Sequence, residues 1–140
     1  VTVTVVDGLV LARSVFEHAV NYRSAMIYGP VREITEPAAK LAALRCLSEH
    51  LAPGQWDYVR KPSREELAAT SLLSLPLAEA SVKIRRGPPD DGTGPDTGLG
   101  AGELPLVATW QQPVPDPALS GAVPVPPHIA RRAGTPASPL

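Results

Sequence analysis

The side chains that could do chemistry gather in one short stretch: His18, Asn21, Tyr22, Arg23 and Ser24. Arg23 can present paired donors to carbonyl or phosphate oxygens. Asn21 and Ser24 can hydrogen-bond the polar edge of a flat heterocycle, and Tyr22 can stack on it or cover it. Strand alternation places Tyr22 and Ser24 on one face and Arg23 on the other, so one pocket can collect all five only if the strand bends. The competing reading is an edge strand whose polar residues face solvent. Lys83 and Arg85, two apart on a later strand, are either anion contacts or an ordinary solvated strand face.

Other chemistries find less support. No Gly-x-Gly-x-x-Gly follows a strand and opens a helix, and Gly98, Gly100 and Gly102 precede no helical pattern. His18, His50 and His128 lie far apart with a single cysteine, Cys46, which argues against a zinc site and excludes an internal disulfide. On its helix, Cys46 reads as a small apolar residue. There is no Gly-x-Ser-x-Gly. Asp90-Asp91, in a Pro-Pro-Asp-Asp-Gly run, reads as a solvated turn. A net charge of −1 offers no basic surplus for a phosphate backbone, so nucleic acid is not an expected partner. No apolar run spans a bilayer and no signal peptide is recognisable. The expectation is a cytoplasmic protein.

The elements that must position these residues are readable from periodicity. Val1 to Val5 alternates as a half-buried strand, and Asp7-Gly8 followed by Leu9 to Ala12 predicts a hairpin turn. The rival is one long strand bent at Gly8. Arg13 to Asn21 reads as a loop with a short helical turn. Tyr22 to Ile34 reads as strand interrupted at Gly29-Pro30. Pro37 to Leu51 is the clearest helix, capped at Thr35 or Glu36, with Leu41, Leu44, Leu47 and Leu51 as its apolar stripe. Ser63 and Glu66 form a capping-box signature for a short helix through Ala69. Strands follow at Thr70–Leu77 and Ala80–Arg85. Gly87 to Gly102 reads as a mobile loop, and Leu104 to Trp110 as a last short strand. Pro113 to Leu140 reads as a proline-rich, extended or disordered tail. The fold class is mainly β with one or two helices (α+β).

Residues 12–29, from Ala12-Arg13-Ser14 through Asn21-Tyr22-Arg23-Ser24-Ala25-Met26-Ile27-Tyr28-Gly29, resemble the pyridoxamine 5′-phosphate oxidase-like, flavin-nucleotide-binding family. Its nitroimidazole-resistance branch is included in the likeness. The similarity continues through the helix Pro37–Leu51, Arg60-Lys61-Pro62-Ser63, Glu65-Glu66-Leu67, and Ser81-Val82-Lys83-Ile84-Arg85 with Gly87-Pro88-Pro89.

This resemblance implies an antiparallel split β-barrel, usually a homodimer, binding flavin mononucleotide (FMN) and acting on a small molecule. The flavin carries the electrons, received as hydride from a nicotinamide cofactor, and the protein supplies placement. Asn21, Tyr22, Arg23 and Ser24 become candidates for the flavin or dimer-interface site, with Arg23 orienting and Tyr22 covering. Lys83 and Arg85 become candidate anion contacts.

The family's earlier barrel strands and basic phosphate segment find no counterpart in these residues. The sequence is therefore expected to hold an incomplete, N-terminally truncated barrel over 1–91, a flexible loop and possible strand over 92–112, and the tail over 113–140. Two alternatives stand: a non-enzymatic carrier of haem or a deazaflavin, and an inactive fragment.

Overall fold

In a computed structural model of the chain, residues 1–90, 98–119, 121 and 123–137 are described. The strands are β1 (Thr2–Leu11), β2 (Ala19–Tyr28), β3 (Arg32–Ile34), β4 (Leu72–Ser74), β5 (Glu79–Arg85) and β6 (Gly102–Pro105). The helices are α1 (Pro37–Leu51), α2 (Gln55–Tyr58), α3 (Arg64–Ala69) and α4 (Pro127–Ala130), with a 3-10 turn at Val15–Glu17. The described residues thus carry four α-helices where one or two were expected. Two compact units result: 1–29 with 76–108, and 30–75 with the described residues of 109–138. No helix among the described residues is long and apolar enough to cross a membrane.

The first unit is a four-stranded antiparallel sheet in the order β5-β2-β1-β6. It is an open sheet over the described residues, not a closed barrel. The expected hairpin at Asp7-Gly8 does not form: β1 runs straight through, with Val6 opposite Tyr22 and Gly8 opposite Asn21, leaving Asp7 as the extra residue of a bulge. Asp-Gly favours a turn only when the flanking runs pair with each other, and here both halves of β1 pair with β2. Gly8 is required by space. A Cβ there would lie 2.7 Å from the Leu104 carbonyl oxygen and 3.1 Å from the Pro105 Cα. The Asp7 carbonyl accepts from the Leu106 amide at 2.9 Å, which locks the bulge to the end of β6. The sheet's core is small: Val10 is fully buried and Ala12 nearly so.

The last strand falls at Gly102–Pro105, earlier than the expected Leu104–Trp110. Trp110 is held elsewhere: its amide donates to the Thr135 carbonyl and its own carbonyl accepts from the Gly134 amide. The segment 91–97, inside the expected mobile loop, lies outside the described residues.

The second unit is mainly helical. Glu36 caps α1, accepting from the Ala38 and Ala39 amides at 3.0 and 2.6 Å, and Pro37 takes the first turn, where its missing donor costs nothing. At the other end of α1, Glu49 accepts from the Gly54 and Trp56 amides and so ties α2 to it. Those bonds hold the Glu49 carboxyl below the usual glutamate range. Ser63 and Glu66 complete the capping box of α3, and Lys40 of α1 donates to the Thr70 and Leu67 carbonyls at its far end. The strand expected over Thr70–Leu77 shrinks to Leu72–Ser74, paired with β3, because Thr70 serves as the C-cap of α3.

The leucine stripe of α1 is not buried. Leu44, Leu47 and Leu51 wall an open apolar recess of about 510 Å³ with Trp56 and Val59. Cys46 lies on the helix, as expected, and is exposed there. The segment expected as an extended or disordered, proline-rich tail has local structure in its described residues. Its described part contains α4, Arg132 donates to the Leu51 carbonyl at 2.6 Å, and His128 Nε2 pairs with Gln55 Oε1 at 2.8 Å.

Two outcomes follow. Gly8→Ala is expected to destabilise the chain by about 1–3 kcal/mol, since the methyl meets backbone that cannot swing aside; urea unfolding with an unchanged midpoint would contradict the close approach. The Glu66 carboxyl is lowered from 4.5 to about 2, chiefly by hydrogen bonds from Arg60 and then by the Ser63 amide. A depressed carboxyl stabilises above its unfolded pKa, so this contribution is full above pH 4.5 and is lost as pH falls toward 2. Helical signal followed through that window should fall less steeply in Glu66→Gln than in the parent.

Candidate functional site

The bulge in β1 opens a recess of about 340 Å³ in the sheet unit, walled by Asp7, Gly8, Asn21, Arg23, Arg86 and Glu103, with Leu104 and Pro105. Four segments supply its polar groups. β1 contributes Asp7 because the extra residue of a bulge leaves the alternation of its strand. β2 contributes Asn21 and Arg23, two apart and therefore on one face. The loop after β5 contributes Arg86, and β6 contributes Glu103.

Two hydrogen-bonded groups organise the recess. Arg23 grips Asp7 through both arms, Nε to Oδ2 at 2.9 Å and Nη2 to Oδ1 at 2.7 Å. The bonds from Arg23 are the main reason the Asp7 carboxyl sits below its ordinary range; desolvation opposes them, and the charges of Arg23 and Arg86 add to them. Arg23 is raised in turn, chiefly by its bonds to Asp7. The second group centres on Asn21, which is only 5% exposed. Its Nδ2 donates to Glu103 Oε2 at 2.6 Å and to the Gly87 carbonyl at 3.2 Å, while Oδ1 accepts from Arg85 Nη1 at 2.6 Å. An amide with one oxygen and two N–H groups suits this position because it must donate to an acid and accept from a guanidinium at once.

The six residues singled out from sequence divide in two. Asn21, Arg23 and Arg85 are brought together at or beside the recess, although Arg85 lies opposite Tyr22 in the ladder. Tyr22, Ser24 and Lys83 belong to the other face of the sheet. There Ser24 bonds Thr4 across the strands at 2.8 Å, and Lys83 lies opposite Ser24. His18 stands apart, its Nε2 paired with the Ala12 carbonyl at 3.1 Å. Asp7, Arg86 and Glu103 were not singled out. By pattern Asp7 belongs to a turn, and Glu103 falls between the loop ending at Gly102 and the strand beginning at Leu104. An acid interrupting an alternating strand was the available sign of the first; nothing local marked the other two.

The recess has a definite chemical character. Its four charged walls balance, Asp7 and Glu103 against Arg23 and Arg86. Its volume is at the low end for small-molecule sites. Such a site can hydrogen-bond the edge of a neutral polar ring but has no net positive charge for a phosphate dianion. Among the described residues, no three His, Cys, Asp or Glu side chains gather to hold a metal.

The site is thus an Asp-Arg clamp at a bulge beside a buried amide, set in a four-stranded antiparallel sheet. The chain belongs to the pyridoxamine 5′-phosphate oxidase family, which it matches over residues 1–84. Two solved structures share its fold. The flavocytochrome Anf3 from Azotobacter vinelandii superposes with a TM-score of 0.82 at 37% identity, over 95% of this chain and 63% of its own. The FAD and haem binding protein from Mycobacterium smegmatis superposes with a TM-score of 0.87 at 35% identity, over 95% of this chain and 66% of its own. The chain thus spans just under two thirds of the length of each. No curated protein matches it. The split-barrel class expected from the sequence is the fold of these neighbours.

Asn21→Ala should cost about 1–3 kcal/mol, because it leaves Glu103 and Arg85 without their shared partner. Ser24→Ala should cost less than about 1 kcal/mol, since its single neutral bond to Thr4 is at an exposed site. Chemical denaturation of the two variants checks the ranking, and equal losses would remove Asn21 from the centre of the network.

Proposed function

We propose that this chain is the ring-binding part of a flavoprotein that carries out redox chemistry on a small molecule. The observation that carries this reading is the match of fold over 95% of the chain to two proteins at 35–37% identity, one named a flavocytochrome and the other an FAD and haem binding protein. A bound flavin would supply the electron-transfer chemistry. The residues of the recess fit the polar edge of its ring and not its phosphate, because their charges cancel.

Each side chain then has a defined task. Asp7 engages Nε and Nη2 of Arg23, which aims the guanidinium and leaves Nη1 for a ligand carbonyl. Asn21 uses its whole amide internally, so it positions Arg85 and Glu103 and does not itself contact the ring. Tyr22, Ser24 and Lys83 serve the other face, where Val6, Leu9, Val20, Met26 and Tyr28 are substantially exposed. That face is the proposed homodimer contact, since exposed apolar surface of this extent favours association. FMN is the cofactor expected of the family, and FAD is the one named for the Mycobacterium smegmatis protein. Oxidoreductase activity on a small substrate belongs to the same proposal.

A second reading has its own support: both neighbours are named for a haem-containing or haem-binding protein as well as for flavin. Spectra separate the two. The full-length protein should show flavin absorbance, with the nucleotide released on denaturation identified by chromatography. A Soret band without flavin would favour haem alone. Protein that stays colourless and leaves the fluorescence of added FMN and FAD unquenched would reject the flavin reading. Arg23→Gln should weaken flavin binding roughly tenfold, the weight of one charge-assisted hydrogen bond.

A further inference from the structure

The helical unit contains a second recess, of about 430 Å³, lined by His50, Trp110, His128, Arg131, Arg132 and Thr135 together with two prolines. No carboxylate among the described residues lines it. In a chain whose net charge is −1, two guanidiniums and two imidazoles facing one concavity are a local reversal of sign. We propose that this recess binds a phosphoryl group carried on a small molecule.

The cationic groups are held in place by the fold. Trp110 is clamped through its backbone to Thr135 and Gly134, at 3.0 and 2.8 Å. The Arg132 guanidinium lies 4.5 Å from the centre of the Trp110 ring and gives one donor to the Leu51 carbonyl at 2.6 Å. A guanidinium has five donors, so this anchoring fixes its position without exhausting it. His128 pairs with Gln55 Oε1 through Nε2, and its ring stands edge-on to Tyr58 at 5.4 Å. Gly54 packs beneath it, where an added Cβ would lie 3.4 Å from the His128 Cγ. Arg131 is exposed at the rim; its backbone amide donates to the Pro127 carbonyl at 3.1 Å, and its guanidinium makes no hydrogen bond among the described residues. Glu49 directs its carboxylate to the Gly54 and Trp56 amides.

Two fixed positive charges match a dianion better than a monocarboxylate, and the guanidinium fork matches phosphate oxygens in particular. The volume exceeds that of a bare anion. Trp110, 39% exposed, offers a flat apolar wall for the rest of the ligand. The site lies wholly within residues 50–136 and does not depend on the flavin reading.

The test follows the two tryptophan indole N–H resonances of the whole chain by NMR during titration with inorganic phosphate and pyrophosphate at constant ionic strength. The Trp110 signal should shift saturably and the Trp56 signal should not; acetate should produce little change. Arg131→Gln should weaken the response roughly tenfold, whereas Arg64→Gln, the same charge change on exposed α3, should leave it as it was. Arg132→Gln is secondary, because it also removes an anchor. The proposal is overturned by an unsaturated Trp110 response, by an equal response to acetate, or by equal weakening in Arg64→Gln.

Discussion

One extra residue in β1 organises the sheet unit. At Asp7 the ladder with β2 slips by one position, and the strand continues past Gly8 to pair with β6 on its other edge. The slip frees the Asp7 side chain from the alternation, so it can meet Arg23 two positions beyond Asn21. It also brings the Leu104 and Pro105 backbone against Gly8 more closely than any side chain would allow. The recess, its charged walls and the arrival of Glu103 all follow from that local break in regularity. Bulges re-aim side chains in this way because the unpaired residue twists its strand.

Charge balance at the recess limits its chemistry more than shape does. Arg23 is paired with Asp7, whose carboxyl also feels the charge of Arg86, and the buried amide of Asn21 is fully used between Glu103, Gly87 and Arg85. A buried polar group that is wholly satisfied stiffens its surroundings; one left half-satisfied would weaken them. The site therefore has the features of a preformed hydrogen-bonding edge. Such an edge is what the proposed binding of a flat polar ring requires of the protein.

The helical unit is held by polar ends more than by a packed centre. α1 has no buried residue, and its two termini are secured by Glu36 and Glu49 accepting backbone amides. The proline-rich segment that follows is anchored through Trp110, His128 and Arg132. Proline lacks a backbone donor, so such a segment adds few ladder bonds. It relies on a few side chains, and those are cationic or aromatic.

Local rules were enough for elements whose causes are local. The limits of α1, the capping box of Ser63 and Glu66, the break at Gly29 and the strand at Glu79–Arg85 were all legible, because capping, proline geometry and alternation act over a few residues. So was the division of Tyr22 and Ser24 from Arg23 by face, and the likeness of residues 12–29 to the family. What pairs with what was not legible. Whether Asp7-Gly8 turns or bulges depends on both halves of β1 pairing with β2, and the pairing of β1 with β6, nearly a hundred residues away, brings Glu103 to Asn21. Trp110 leaves the sheet because Thr135 and Gly134 compete for its backbone. Composition along the chain cannot express such contacts, since each is a choice among distant partners that only the folded chain makes.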